Sequence, residues 1–172
     1  IQTNTARANR IVLSRVLPDE YRDAHVHRLS TFFQNARDTL RALAPAHRDH
    51  PNIVLLTPGP YNETYFEHAF LARYLGFPLV EGGDLTVRNQ RVFIKTLEGL
   101  QPVDVILRRL DDTFCDPLEL RADSYLGVPG LLEAVRAEHV GQLPARFEFE
   151  GFETRTEQFV ATGAKLIDVA AA

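Results

Sequence analysis

Two arginines and two aspartates stand together in the segment Arg108-Arg109-Leu110-Asp111-Asp112, directly after an apolar run over 103–107. A guanidinium can bind a carboxylate or a phosphate through paired hydrogen bonds, and a neighbouring carboxylate can hold it in place or orient an amine. The position of the segment at the end of a predicted strand favours such a binding role. The alternative is an exposed cluster of ion pairs, which contributes little to stability.

A second candidate is the loop Thr57-Pro58-Gly59-Pro60-Tyr61-Asn62-Glu63. Its glycine lies between two prolines, so we expect a rigid loop whose backbone can approach a ligand. Free N–H groups at the start of the helix that follows would suit an anion. The chain has neither the GxGxxG nor the GxxxxGK[ST] pattern, so a dinucleotide site and a P-loop are not indicated. An ordered turn without a ligand explains the loop equally well.

The other residue types that could catalyse a reaction or bind a metal occur without a supporting pattern. Histidines two positions apart on a helix point to different faces, and a polar connector with two histidines is typical of a solvated loop. The single cysteine has no histidine near it in the sequence, and the serines lack the setting of a nucleophile elbow. We therefore predict no catalytic residue and no metal site in this chain. The residues considered are His25, His27, His47, His50, Cys115, Ser14 and Ser124.

The elements that must position these candidates begin with a strand–loop–helix–strand unit over 52–80. An apolar run over 53–56 precedes the loop, and a helix is predicted to start between Asn62 and Thr64. Gly76 stands where a helix-ending glycine belongs, and a second strand is predicted over 77–81. Parallel strands of this kind bind ligands beyond their carboxyl ends. We predict an α/β fold of three layers with a mainly parallel sheet of four or five strands.

The rest of the chain supplies the flanking elements. A β-hairpin over 85–94, turning at Asn89-Gln90, is predicted as an insertion. A third buried strand is predicted over 103–107. We expect helices over 18–44 (with a break near Leu29-Ser30), 117–121, 130–138 and 154–162. We expect strands over 11–13, 146–150 and 164–169, and an irregular lead-in over 1–10.

Composition bounds the function. The formal net charge of −4 disfavours a nucleic-acid partner, and no apolar run reaches the roughly 18–20 residues of a membrane span. A single cysteine fits a reducing compartment, and no secretory signal segment precedes the fold. We therefore expect a cytoplasmic protein with no nucleic-acid and no membrane partner. Because the chain starts at Ile1 and contains no methionine, we expect it to be part of a longer protein.

Four segments occur together in a characteristic order and spacing: NRIVLSRVLP at 9–18, TPGPYNETYFEHAFLARYLGFPLVEGGDLTVR at 57–88, VDVILRRLDD at 103–112, and LGVPGLLEAVRA at 126–137. They resemble the circularly permuted ATP-grasp type 2 family of large, mostly uncharacterised bacterial proteins. The resemblance covers about residues 9–140 and implies the Rossmann-like pre-ATP-grasp region. We expect one α/β domain over 1–172, with an unassigned tail over 141–172.

The resemblance also implies a function. ATP-grasp enzymes use ATP and magnesium to activate a carboxylate, which then joins an amine, and the pre-ATP-grasp part usually helps to hold the substrate. The intact protein would then be an ATP-dependent carboxylate–amine ligase, and this chain would hold its small carboxylate or amine substrate. The residues that the resemblance places in the substrate crevice are Arg10, Asn62, Glu81, Arg108, Arg109, Asp111 and Asp112.

The chain departs from the family after residue 140. The family continues with an Asn-Ala-x-Gly-Ser-Gly stretch and a nucleotide loop with its lysine, which 141–172 does not match. The chain's lysines are Lys95 and Lys165. We therefore expect ATP and magnesium to bind only with the missing ATP-grasp domains, and no ATP chemistry from this chain alone. The alternative is a non-catalytic scaffold or interaction module that docks on those domains or self-associates, with the apolar stripe over 26–43 as one possible interface.

Overall fold

The computed structural model describes residues 2–26, 30–44, 49–137, 146–149, 152–155, 159–161 and 164–168. In these ranges the helices are α1 (Gln2–Val16), α2 (Pro18–Asp23), α3 (Ser30–Ala42), α4 (Tyr65–Leu75) and α5 (Leu131–Arg136). The strands are β1 (Ile53–Leu56), β2 (Leu79–Val80), β3 (Leu85–Arg88), β4 (Arg91–Thr96), β5 (Gly99–Pro102), β6 (Val105–Arg108), β7 (Arg146–Phe149), β8 (Phe152–Arg155), β9 (Phe159–Ala161) and β10 (Ala164–Asp168).

The central sheet has the strand order β2-β1-β6-β10-β9. Strand β1 is parallel to both β2 and β6, β6 is parallel to β10, and only the edge strand β9 runs antiparallel to its neighbour. The predicted α/β fold with a mainly parallel sheet is therefore confirmed. The unit β1–α4–β2 is the predicted strand–helix–strand unit, and Gly76 ends α4 in the left-handed conformation, with a φ of 75°.

Both faces of the sheet are covered, which explains why every residue of β1 and β6 is buried and why neither strand alternates between apolar and polar residues. Ile53 and Leu55 pack with α3 and α4 in one core. Val54 and Leu56 pack in a second core with α5 and the antiparallel strands β3 and β4. Successive side chains of a strand point to opposite faces, so each strand supplies both cores.

The predicted hairpin is confirmed as β3 and β4, with Asn89 and Gln90 both at positive φ (48° and 59°), as a tight two-residue hairpin turn requires. Strand β5, which we did not predict, pairs antiparallel with β4 and completes a three-stranded sheet. Its sequence Gly-Leu-Gln-Pro has low strand propensity, so its pairing to β4, rather than its composition, makes it a strand.

The N-terminal predictions were wrong. Residues 2–16 form helix α1, where we expected an irregular lead-in and a strand over 11–13. Residues 2–17 contain no proline or glycine, and the apolar triplet is too short to outweigh the helix formers around it. Pro18 starts the next helix as predicted, and the break between α2 and α3 is confirmed, although Leu29 itself lies outside the described residues.

Two further helix predictions were wrong. Residues 117–121 form a turn, because the Asp116 carboxylate accepts a hydrogen bond from the Leu118 N–H at 2.9 Å and its carbonyl accepts one from Leu120. The segment over 154–162 contributes to β8 and β9, which pair with β7 and β10. The predicted strands over 146–150 and 164–169 are confirmed within their described residues. No helix in the described part of the chain is long and apolar enough to cross a membrane.

Candidate functional site at the switch point of the sheet

The chain leaves two neighbouring strands toward opposite faces of the sheet. After β1 it forms α4, which packs on one face, and after β6 it leads to α5, which packs on the other. In parallel sheets a crevice opens beyond the carboxyl ends of two such strands, and ligands bind there. The crevice of this protein therefore lies between the loop over 57–63 and the loop over 109–116, with Glu81 following β2 alongside.

A chain of hydrogen bonds fixes the loop after β1. The buried His68 of α4 lies 2.9 Å from the Thr57 hydroxyl through Nδ1 and 3.1 Å from the Thr64 hydroxyl through Nε2. The Thr64 hydroxyl donates to Asn62 Oδ1 at 2.6 Å, and the Gly59 N–H donates to Thr57 Oγ1 at 3.3 Å. The loop that carries Asn62 is thus bonded to the helix behind it.

The protonation state of these hydrogen-bonded side chains follows from their geometry. Burial lowers the pKa of His68 to about 4, and the positive charge of Arg109 acts in the same direction, so the imidazole is neutral at pH 7. Because the Thr64 hydroxyl hydrogen is donated to Asn62, Thr64 must accept the hydrogen of Nε2–H. Nδ1 then accepts from the Thr57 hydroxyl. The Thr57 hydroxyl, the His68 imidazole and the Thr64 hydroxyl therefore each donate one hydrogen bond and accept another.

Glu81 lies directly over the loop. Gly59 has a φ of +97°, and a Cβ placed there would meet Oε2 of Glu81 at 3.0 Å. The Glu81 carboxylate accepts from the Asp84 N–H, and the Asp84 carboxylate accepts from the Glu81 N–H at 2.9 Å. The positive φ at residue 59 favours glycine, and the mutual hydrogen bonds with Asp84 hold the Glu81 carboxylate beside the loop.

The structure separates the two arginines that we expected to face the same crevice. Arg108 is 1% exposed and lies in the α5-side core, where its Nη1 donates to the Leu110 carbonyl at 2.8 Å and to Cys115 Sγ at 3.6 Å. Arg109 is the next residue and therefore points to the other face, where its charge acts on His68. Arg109 is half-buried at the crevice, whereas Arg108 is inside the protein.

Asp111 and Asp112 are exposed, and both carboxylates accept hydrogen bonds from Thr113. The Asp111 carboxylate accepts from the N–H and the hydroxyl of Thr113, and Asp112 accepts from the same N–H at 2.8 Å. The hydrogen bond with Asp112, followed by the bond from the Thr113 backbone, holds the pKa of Asp111 below its usual value, and Arg108 adds to the effect. A hydrogen bond between two carboxyl groups needs a proton on one of them, so this pair carries negative charge with Asp111 as its ionised member.

Arg10 lies elsewhere. It lines a cavity between α1, α2, the start of α3 and Tyr74 of α4. Thr64, at the crevice end of α4, is about 15 Å from Tyr74 along the helix, from a rise of 1.5 Å per residue. The structure thus places Asn62, Glu81 and Arg109 in the loops that follow β1, β2 and β6, with Asp111 and Asp112 in the same loop as Arg109, whereas Arg10 lines a separate cavity.

Sequence reasoning missed two functional features. His68, with Thr64 one helical turn before it, was visible as an i, i+4 pair at the start of a helix, but its bond to Thr57 depends on the tertiary fold. The second is Asp116, which is fully buried and whose carboxylate accepts from the N–H groups of Gly130 (3.1 Å) and Leu132 (2.9 Å). This carboxylate ties the loop after β6 to the start of α5.

Comparison with known proteins agrees with this architecture. A sequence model of the family described as circularly permuted ATP-grasp type 2 matches residues 5–143. The chain belongs to this family. The predicted resemblance, over about 9–140, is confirmed.

The relatives are considerably longer than the chain. An uncharacterised protein of Mycobacterium tuberculosis is 46% identical over 132 residues, which are 77% of this chain and 24% of the relative. An uncharacterised protein of Synechocystis sp. is also 46% identical over 132 residues, which are 27% of the length of that protein. A second M. tuberculosis protein is 46% identical over 129 residues, 75% of this chain and 15% of that protein. The chain thus spans about a quarter or less of the length of these relatives.

Proposed function

We propose that this chain is the substrate-side domain of an ATP-dependent carboxylate–amine ligase and that the crevice at the switch point holds one of the two substrates. The observation that carries the proposal is the placement of charged groups at the carboxyl ends of two parallel strands that flank β1: Glu81 after β2, and Arg109 with Asp111 and Asp112 after β6. Membership in an ATP-grasp family supports the same conclusion.

The balance of charge favours a substrate that carries an amine. Because Arg108 is buried in the core, Arg109 is the half-buried guanidinium of this segment, and three acidic residues, Glu81, Asp111 and Asp112, lie in the same loops at the strand ends. Arg109 would bind the substrate carboxylate, and Glu81 with the aspartate pair would bind an ammonium group. The low pKa of Asp111 keeps it ionised at neutral pH. An amino acid or a short peptide has both groups.

Nucleotide chemistry would belong to other parts of the intact protein. The Lys95 ammonium donates to the Gly83 carbonyl at 2.7 Å, on the hairpin side. In the described ranges no group of three or more histidine, cysteine or acidic side chains could hold a metal ion. The proposed role of this chain is therefore to bind and orient a substrate.

The test is steady-state ATP turnover by the intact protein that contains this chain, with amino acids and short peptides as acceptors. Losing a charge-assisted hydrogen-bond pair costs about 1.5–3 kcal/mol, so Arg109→Ala should lower kcat/KM for the acceptor by roughly 10- to 150-fold. Arg88→Ala, an exposed arginine at the hairpin turn, is the matched control. Unchanged kinetics in a folded Arg109→Ala protein would refute the assignment of Arg109.

One observation favours the alternative, a non-catalytic interaction module. Tyr61, Phe66 and Tyr125 are 103%, 75% and 96% exposed, and exposed aromatic residues are enriched in protein interfaces. This proposal predicts that the chain associates with itself or with the rest of the intact protein through these rings. Sedimentation of wild type and a Tyr61→Ser, Tyr125→Ser variant over a hundredfold range of concentration tests self-association. A monomer throughout, with ligand binding at Arg109, would decide for the first proposal.

A further inference from the structure

A cavity of about 670 Å³ lies between α1, α2, the start of α3 and the C-terminal part of α4. Its volume is in the range that holds a small organic ligand. It lies at the opposite end of α4 from the switch-point crevice, so it is a separate site. The described residues that line it are Arg10, Ile11, Ser14, Pro18, Tyr21, Arg22, His25, Val26, Ser30 and Tyr74.

The charged side chains among the described lining residues are of one sign. Arg10 and Arg22 contribute guanidinium groups and His25 contributes an imidazole, and the described residues of the lining include no carboxylate. Asp19 accepts from Arg22 Nη2 at 2.6 Å, but both side chains are more than 70% exposed, so water competes for that pair and it is easily exchanged for a ligand. A concave surface with one sign of charge concentrates the opposite charge.

The rest of the described lining combines apolar and aromatic surface with two serines, Ser14 and Ser30, and its aromatic wall is supported by neighbouring rings. The Tyr74 ring packs edge-on against Phe33 of α3, with 4.8 Å between the ring centroids, and Phe70 stacks on it one turn earlier in α4. Ile11 and Val26 supply apolar surface on the other elements. Such walls suit the body of a ligand whose charged group lies at the arginines.

We propose that this cavity binds a small anion, a carboxylate or a phosphate, attached to an apolar or aromatic body. Arg10 and Arg22 bind the oxyanion, and Tyr21 and Tyr74 with Ile11 contact the body. Arg10, which the family resemblance placed in the substrate crevice, thus belongs to a different proposed site. The proposal does not depend on what the crevice binds.

Two-dimensional NMR of the isotope-labelled chain tests it, with benzoate, phenyl phosphate and neutral benzyl alcohol as probes. Amide shifts should cluster in α1, α2 and near Tyr74, and both anions should bind at least about tenfold more tightly than the alcohol. The ratio between benzoate and phenyl phosphate identifies the preferred anion. Shifts confined to the crevice, equal affinity for the alcohol, or no saturable binding would each overturn the proposal.

Substitutions test whether the anion binds in this cavity. Arg10→Gln should weaken anion binding roughly tenfold or more, the loss expected for one charge-assisted hydrogen bond. Arg15→Gln, an exposed arginine of the same helix outside the lining, should change it less than about twofold. Ser14→Phe fills the cavity and should abolish binding, while a dispersed spectrum shows that the fold is intact. Equal losses from Arg10→Gln and Arg15→Gln would show a general charge effect and refute the site.

Discussion

Acidification from pH 7 to pH 4 should destabilise this protein through one buried imidazole. His68 is 2% exposed, and both ring nitrogens are bonded to threonine hydroxyls in a donor order that only the neutral form can satisfy. Protonation would place a hydrogen on Nδ1, opposite the hydrogen of the Thr57 hydroxyl. Burial and the charge of Arg109 add to this conflict, and the pKa falls from its ordinary 6.5 to about 4.

The sign and size of the effect follow from linkage between protonation and folding. Above pH 6.5 the imidazole is neutral in both folded and unfolded chains and has no effect. Between pH 6.5 and 4 the unfolded chain binds a proton at His68 that the folded protein does not bind, so the free energy of unfolding falls as the pH falls. One pKa unit corresponds to ~1.4 kcal/mol, so the loss reaches at most ~3 kcal/mol at pH 4 and below.

Urea denaturation of the wild type and a His68→Gln variant at half-unit steps from pH 7 to 4 measures this effect. The difference between the two free energies of unfolding should shrink as the pH falls, because the variant has no imidazole to protonate. His50→Gln, which removes an exposed histidine, should leave the wild-type pH profile unchanged. A difference that is constant with pH, or an NMR titration of His68 with a pKa near 6.5, would refute the assigned hydrogen-bond order.

Three further predictions concern stability. Gly127→Ala should lower the free energy of unfolding in urea by more than ~3 kcal/mol, because its Cβ would lie 2.1 Å from a neighbouring carbonyl oxygen. Gly76→Ala is the control: residue 76 has a φ of 75° and no described atom lies within 4 Å of its Cβ, so the substitution should cost only about 1 kcal/mol. Arg108→Ala should lower the melting temperature through ~3 kcal/mol of lost packing and hydrogen bonding, whereas Arg109→Ala should change it little. Asp116→Ala should cost about 3 kcal/mol in the same denaturation assay, because three backbone N–H groups would lose their acceptor. A melting temperature equal to wild type in Arg108→Ala or Asp116→Ala would contradict the assigned roles.

The central part of the fold was predictable because local signals agree there. A continuous apolar run over 53–56, a proline–glycine loop and a left-handed glycine at residue 76 each indicate the same strand–loop–helix–strand unit. The hairpin at Asn89-Gln90 was predictable for the same reason, since alternation and turn residues agree. Strand β5 was not, because its stability comes from pairing with β4.

The errors arise where local patterns are ambiguous. The triplet Ile11-Val12-Leu13 has strand propensity, yet the helix that surrounds it determines its conformation and leaves all three side chains at least 37% exposed. Near 154–162 we expected a helix, but strand pairing with β10 determines the structure of Phe159–Ala161. In the first segment the surrounding helix-forming residues decide, whereas in the second the deciding contacts lie elsewhere in the chain.

The candidate site was predictable in its position but not in its internal organisation. That ligands bind beyond β1 and β6 follows from parallel strands alone. The separation of Arg108 from Arg109 follows from the two-residue period of a strand, once the strand is known to extend to Arg108. The hydrogen-bond chain through His68 required the tertiary structure, because it joins a strand end to a helix 11 residues later in sequence.

The glycines of the Glu81-Gly82-Gly83 and Leu126-Gly127-Val128 segments show how the three loops of the crevice are held together. A Cβ at Gly82 would lie 2.3 Å from the Leu126 carbonyl oxygen, and one at Gly127 would lie 2.1 Å from the carbonyl oxygen of Phe114. The backbones after β2, after β6 and before α5 therefore pack directly on one another, whereas Gly59 packs against the side chain of Glu81. Loops packed this closely cannot move independently. A ligand that shifts the loop bearing Asp111 would therefore also displace the carboxylate of Glu81, so the two acidic sides of the crevice should respond to binding as one unit.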